Sequence, residues 1–282
     1  MSDQHLPNKL SALRTRLRQL GSVVVCYSGG LDSAFLLAVA RQELGDRAVA
    51  VTADGPSLPS DERRDARRLS KELNVRHEWV DAGEFHLEAY RANGTDRCYY
   101  CKRAMFMAAH RVRAELEFAC IVDGAHADDE GDYRPGDRAA QEQRVVRPLQ
   151  ETHFTKRDIR QASRDMGLDV WSKPSAACLA SRIPYGTPIS ERVLKQIDGA
   201  ERELKDLGLG QLRVRYHGPV ARIEVEPERV GELLAHRQQV VEAIKRHGFK
   251  YVAADLEGYR VGSHNEVLEQ GSPSIEAGPT AD

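Results

Sequence analysis

Cysteine, net charge and long apolar runs are all scarce in this 282-residue chain. Its five cysteines, an odd number at wide spacing, exclude a regular disulfide framework and fit a reducing, cytoplasmic setting. Lys and Arg total 41 against 43 Asp and Glu, a formal net charge of −2. That balance argues against a nucleic-acid coat, which carries a basic excess. The longest unbroken apolar run near the N-terminus, Ala34 to Ala40, is too short to span a membrane. Residues 1–20 hold Lys9, Arg14, Arg16 and Arg18 where an export signal keeps an apolar core, so none is expected. What is present, 41% hydrophobic and 30% charged residues, suffices to bury a core over about two domains.

The hydrophobic pattern predicts alternating strands and helices. Leu10, Leu13, Leu17 and Leu20 recur at helical spacing. Val23 to Tyr27 reads as a strand, Ala34 to Leu44 as a helix and Ala48 to Ala53 as a second strand. Asp61–Leu73 and Cys98–Leu116 are predicted helices; His77–Val80 and Phe118–Val122 are predicted strands. Such alternation implies parallel strands with right-handed crossovers, hence an α/β doubly wound parallel sheet with ligands at the carboxyl ends of its strands. A further helix follows Thr155, its expected N-cap. Residues 172–189 are broken by Pro174, Pro184, Gly186 and Pro188 and form a long loop. Beyond it a helix over Glu191–Leu207, strands at Leu212–Tyr216 and Ala221–Val225, a helical stretch to about His247 and a strand at Lys250–Ala253 make a smaller α+β domain. The expected division is 1–188, 189–261, and a disordered tail at 262–282 that is rich in Gly, Ser, Pro and Glu.

The sharpest local signal is Ser28-Gly29-Gly30-Leu31-Asp32-Ser33 between the first strand and its helix. Glycines let the backbone approach an anion, and the free N–H groups and dipole of the helix start favour negative charge. Ser28 and Ser33 add hydroxyl donors. Asp32 would repel a bare phosphate and so implies Mg²⁺ between carboxylate and phosphates. Neither a kinase-type P-loop nor a dinucleotide fingerprint is present. The loop resembles the PP-loop of the ATP pyrophosphatase superfamily. That likeness implies cleavage of ATP to AMP and pyrophosphate, with Val51-Thr52-Ala53 flanking the adenine. The fourth strand ends in Asp123-Gly124-Ala125-His126-Ala127-Asp128-Asp129, beside the first loop by the parallel-sheet rule. Gly124 is therefore placed at the nucleotide, and Asp128 and Asp129 are candidates for the Mg²⁺ site. His126 has no assigned role.

Cys26 and Cys120 fall in predicted strands and read as core. Cys98-Tyr99-Tyr100-Cys101 opens a helix and has the spacing of a metal or cluster half-site, and Cys178 lies in the long loop. A cluster held by three thiolates, a zinc site completed by a distant His and a redox pair all fit this spacing.

Five stretches together resemble the LarE family of ATP-dependent sulfur transferases. They are Ser28–Ser33; Asp123-Gly124 with Ala127–Gly136; Arg147-Pro148-Leu149; Trp171–Gly186; and Arg213–Gly218. The resemblance implies adenylation of a carboxylate of pyridinium-3,5-biscarboxylic acid mononucleotide and its conversion to a thiocarboxylate, for a nickel-pincer cofactor. In sacrificial members the sulfur comes from a cysteine at the position of Cys178. The added Cys98-x-x-Cys101 matches cluster-dependent members, which implies a 4Fe-4S cluster on Cys98, Cys101 and Cys178 and a ligand role for Cys178. Arg213 and Arg215 share one strand face, and the family places the substrate phosphate there with Ser181 and Arg182. Catalysis is expected from Asp32 and Cys178, with ATP and Mg²⁺. The partners are a small nucleotide substrate, an unnamed sulfur donor and further copies of the chain in a homo-oligomer. A tRNA-thiolating enzyme of the same superfamily is the competing reading, weakened by the charge balance and by the Lys173–Gly186 stretch. Glu224 alternates toward the same strand face without an assigned role.

Overall fold

In the first half of the chain four short apolar segments pair side by side. They are β1 (Val23–Cys26), β2 (Ala48–Ala53), β3 (His77–Val80) and β4 (Cys120–Val122). All run parallel, in the order β3-β2-β1-β4. The computed structural model describes residues 5–129, 135–174 and 177–260. Every residue of β1 is buried, as a central strand covered on both faces requires. Its side chains alternate: Val23 and Val25 join one core cluster, Val24 and Cys26 the other.

The longer helices are α1 (Leu6–Leu20), α2 (Leu31–Leu44), α3 (Ser60–Glu72), α4 (Arg97–Glu115), α5 (Pro135–Glu142) and α6 (Lys156–Asp165). Leu13, Leu17, Phe35, Phe154 and Ile159 fill the core on one side, and Phe106, Val112 and Ala139 fill it on the other. Helix α2 begins three residues before the predicted Ala34, because Gly30 in extended conformation serves as its N-cap. Strand β4 is shorter than predicted, since Phe118 N–H instead bonds the Arg113 carbonyl at the end of α4. Cys26 is buried, whereas Cys120 is only half-buried. Thr155 caps α6 through a reciprocal capping box with Asp158. The chain leaves β1 toward β2 and β3 and returns to the other flank of β1 with β4. The strand order thus reverses between β1 and β4, where an open α/β sheet places its ligand.

The chain divides into two compact units: residues to Ala180 with Tyr185–Asp198, and Ser181–Pro184 with the residues from Gly199 on. The division falls inside α7 (Glu191–Asp206). In the second unit β5 (Leu212–His217) and β6 (Val220–Val225) form an antiparallel hairpin. Its turn uses Gly218 at φ +62°. β7 (Tyr251–Ala254) adds parallel to β6, and α8 (Arg237–Arg246) precedes it. This is a small α+β unit. The tail at 262–282 lies outside the described residues, and no described helix is long and apolar enough to cross a membrane.

Candidate functional site

The loop after β1 is built by its own hydroxyls and by one forced glycine. Ser28 N–H donates to Ser33 Oγ at 3.2 Å, Gly30 N–H donates to Ser28 Oγ at 3.3 Å, and Ser33 Oγ donates to the Gly30 carbonyl at 3.1 Å. Gly29 has φ +78°, and a Cβ there would meet Ala66 Cβ at 3.0 Å and the Glu62 carbonyl at 3.1 Å. Only glycine fits both demands. The loop thereby presents the start of α2, with its backbone N–H groups and dipole, at the carboxyl end of the central strand.

The end of β4 closes on this loop. A Cβ on Gly124 would lie 2.9 Å from Ser33 N and 3.1 Å from the Asp32 carbonyl carbon, so the two backbones touch. Asp32 receives Lys156 Nζ at 2.6 Å on both carboxylate oxygens. Lys156 N–H also donates to Asp128 Oδ2 at 2.7 Å. His126 Nε2 is 3.6 Å from Asp129 Oδ1 and 4.0 Å from Asp32 Oδ1, and Nδ1 is 4.0 Å from Asp128 Oδ2. The structure thus gathers Asp32, Asp128 and Asp129 around one histidine and one lysine. Arg147 joins the same wall, bonding Asp137 at 2.7 Å and standing 3.6 Å from Asp123.

At the end of β2, Thr52 is buried. Its hydroxyl donates to the Tyr27 carbonyl at 2.5 Å and meets His77 Nε2 at 2.8 Å. The Thr52 side chain is committed to the sheet, and the strand end offers backbone with Ala53. Lys173 ties the long loop to the phosphate loop: its ammonium lies 2.9 Å from Glu62, 2.8 Å from Asp65 and 3.5 Å from the Gly29 carbonyl.

Cys98 and Cys101 occupy the first turn of α4, and Cys178 follows Lys173 on the long loop. The loop is pinned by Leu179 N–H to the Ser57 carbonyl at 2.8 Å. Burial, then the charge of Cys178, pushes the Cys101 thiol well up. Arg97 feels both Cys178 and Cys98; they outweigh its burial and hold its pKa above the ordinary value. The five cysteines form no disulfide. Among the described residues, no three His, Cys, Asp or Glu side chains are drawn together in a metal-holding arrangement. By residue type alone, cysteine thiolates are soft donors of the kind that iron and sulfur take.

In the second unit Arg182, Arg213 and Arg215 are all buried. Arg182 forks onto Glu201 at 2.9 and 3.1 Å, and Arg215 forks onto Glu224 at 2.9 and 2.7 Å. Ser181 sits among them: its hydroxyl accepts from Arg182 and its carbonyl accepts from Arg215. Burial alone would raise the Glu201 carboxyl, but Arg182 outweighs it and holds the pKa below the ordinary range. Burial, then repulsion from Arg182, lowers Arg213. Glu224 is therefore a buried counter-ion, shared by Arg215 and Arg222.

Residues 10–112, which hold β1, the phosphate loop and α2, match the Asparagine synthase family. An uncharacterized protein of Synechocystis sp. is 38% identical over 93% of this chain and 99% of its own. The pyridinium-3,5-bisthiocarboxylic acid mononucleotide synthase of Lactiplantibacillus plantarum is 34% identical over 93% of this chain and 96% of its own. The chain belongs to the LarE family. It is an enzyme that activates its substrate with ATP and transfers sulfur. An uncharacterized protein of Methanocaldococcus jannaschii is 26% identical over 89% of the chain.

Several residues that the structure brings to these positions carry no signal in sequence. Lys156 lies far along the chain from Asp32 and becomes its partner only because α6 starts beside the end of β4. Glu201 is one acidic residue among several on α7, distinguished only by burial. Arg97 adjoins Cys98, a neighbourhood that could have drawn attention to it.

Proposed function

We propose that this chain converts a carboxylate of pyridinium-3,5-biscarboxylic acid mononucleotide into a thiocarboxylate at the expense of ATP. The observation that carries this reading is that the first unit holds both an anion-binding loop with its acidic partners and, on α4, Cys98 and Cys101 beside an arginine that bonds the Ala180 carbonyl two residues after Cys178. Kinship with the Lactiplantibacillus plantarum synthase supplies the substrate class. Ser28, Gly29, Gly30 and Ser33 take the ATP phosphates, with the adenine at Thr52 and Ala53 and with Gly124 holding the loop closed. Asp32, Asp128 and Asp129 bind Mg²⁺. A substrate carboxylate oxygen attacks the α-phosphorus and pyrophosphate leaves. A sulfur nucleophile then attacks the acyl carbon and AMP leaves with the oxygen. Ser181, Arg182, Arg213 and Arg215 receive the substrate phosphate, for which arginine forks are suited.

Cys98, Cys101 and Cys178 hold a 4Fe-4S cluster in this reading. When bound, such a cluster would supply iron–sulfur chemistry for the transfer of sulfur. Cys101 has to lose its proton to become a ligand, since its thiol is strongly favoured in the buried site. The enzyme works in the cytoplasm as a homo-oligomer.

The test is anaerobic reconstitution with iron and sulfide, followed by turnover with ATP, Mg²⁺ and the nucleotide. Expected are cluster absorption, one AMP and one pyrophosphate per thiocarboxylate, and loss of cluster in Cys98→Ala, Cys101→Ala and Cys178→Ala. Cluster retained in Cys178→Ala, or a Cys178 that loses the mass of H₂S during turnover, would overturn the three-ligand assignment.

A further inference from the structure

Arg97 and Asn93 are 3% and 0% exposed. A buried arginine needs partners for its donors. Arg97 Nη1 donates to Asn93 Oδ1 at 2.6 Å and to the Ala180 carbonyl at 3.0 Å. Asn93 Nδ2 donates to the Thr187 carbonyl at 2.9 Å, and the Asn93 carbonyl accepts from Gly186 N–H at 3.0 Å. Ile189 N–H bonds the Arg91 carbonyl at 2.8 Å, and the guanidinium carbon stands 5.5 Å from the centroid of the Tyr185 ring. Asn93 adopts φ +57°, a left-handed conformation that asparagine tolerates.

Each of these bonds joins one of two stretches to the other, or braces Arg97 between them. The first is the turn 91–97 leading into Cys98-x-x-Cys101. The second is the chain 180–189 that follows Cys178. The tie at Ala180 is two residues from Cys178, and Arg97 Nη2 is 3.9 Å from Cys98 Sγ. Among the described residues no carboxylate pairs with Arg97, so its charge faces sulfur rather than an acid. We propose that Arg97, braced by Asn93, is a positioning residue that sets Cys178 opposite Cys98 and Cys101 before any sulfur-bearing group is bound. This rests on reading the three cysteines as one sulfur site.

Reduced, iron-free protein treated with dibromobimane, which bridges two nearby thiols, tests this directly. Peptide mass spectrometry then separates bridges to Cys178 from the Cys98–Cys101 bridge within one helical turn. In Arg97→Gln the bridges to Cys178 should form about tenfold more slowly, the worth of one or two buried hydrogen bonds. The Cys98–Cys101 bridge should keep its wild-type rate, which a general loss of fold would not allow. Arg97→Lys should recover part of the rate. Asn93→Gly keeps the left-handed turn, removes the brace and should show the same selective slowing. Wild-type bridging of Cys178 in folded Arg97→Gln, or in Asn93→Gly should the first variant not fold, overturns the inference. Failure of wild-type protein to take up iron overturns the cluster reading alone, because the bridging is measured without iron.

Discussion

Lys156 Nζ lies 2.6 Å from each carboxylate oxygen of Asp32, at the mouth of the phosphate loop. If Asp32 holds Mg²⁺ as proposed, the ammonium occupies the same carboxylate, and Mg²⁺ binding and this ion pair compete. Lys156→Gln should lower the Mg²⁺ concentration required for half-maximal pyrophosphate release by up to about fivefold, the worth of a partly exposed pair. Asp32→Asn removes the carboxylate itself and should have the opposite effect, raising the Mg²⁺ concentration required. A Mg²⁺ titration of Lys156→Gln that overlays the wild-type curve would rule out the competition.

Gly124 makes a second prediction, because the atoms a new Cβ would meet are backbone. Ser33 N at 2.9 Å and the Asp32 carbonyl carbon at 3.1 Å cannot swing aside as a flexible side chain would. Gly124→Ala should therefore cost about 1–3 kcal/mol, the range for overpacking, and push the phosphate loop away from β4. Thermal melting measures the first effect and ATP affinity the second. Wild-type values for both would mean that the two backbones part freely.

His77 titrates far below its ordinary value of 6.5, at about 4, because burial and then the Arg67 cation disfavour the imidazolium. The ring bridges Thr52 Oγ1 at 2.8 Å and Ser70 Oγ at 2.9 Å. Between pH 6.5 and about 4 the unfolded chain takes up a proton that the folded one refuses. This contribution is thus complete above pH 6.5 and is lost as the pH falls toward 4. The slope is at most about 1.4 kcal/mol per pH unit, and less here because the ring is only partly buried. Urea unfolding of wild type and His77→Gln at pH 7 and pH 5 should show a smaller pH dependence in the variant.

The strand at Ala48–Ala53 and that at His77–Val80 were legible in sequence to the residue, because β-branched and aromatic side chains are bounded there by charge and glycine. The phosphate loop was legible for a similar reason: Gly29 answers a local backbone demand that leaves a local trace. Contacts set by tertiary approach leave none. Nothing in the spacing of Lys156 from Asp32, or of Arg97 from Ala180, announces that they meet. The pairing of Arg182 with Glu201 shows the same limit, since the arginines stood out by type while their carboxylates looked like ordinary helix-surface and strand residues.

That pair supports the most demanding test of the phosphate assignment. Arg182 and Glu201 are 3% and 2% exposed, and the guanidinium is bound through two hydrogen bonds. Glu201→Gln leaves the arginine charge in the interior without its carboxylate, a change that costs about 3–5 kcal/mol. If the arginines of this unit receive a substrate phosphate, an added anion can take over part of the lost role. Inorganic phosphate should then raise the melting temperature of Glu201→Gln more than that of wild type. The gain should grow with the logarithm of phosphate concentration once binding is saturated, about 2.7 kcal/mol at a hundredfold excess over Kd. Sulfate should act similarly and chloride should not, because the guanidinium fork recognises a tetrahedral oxyanion. A variant destabilised as expected but indifferent to phosphate would keep the structural role of the pair and remove Arg182 from the substrate site.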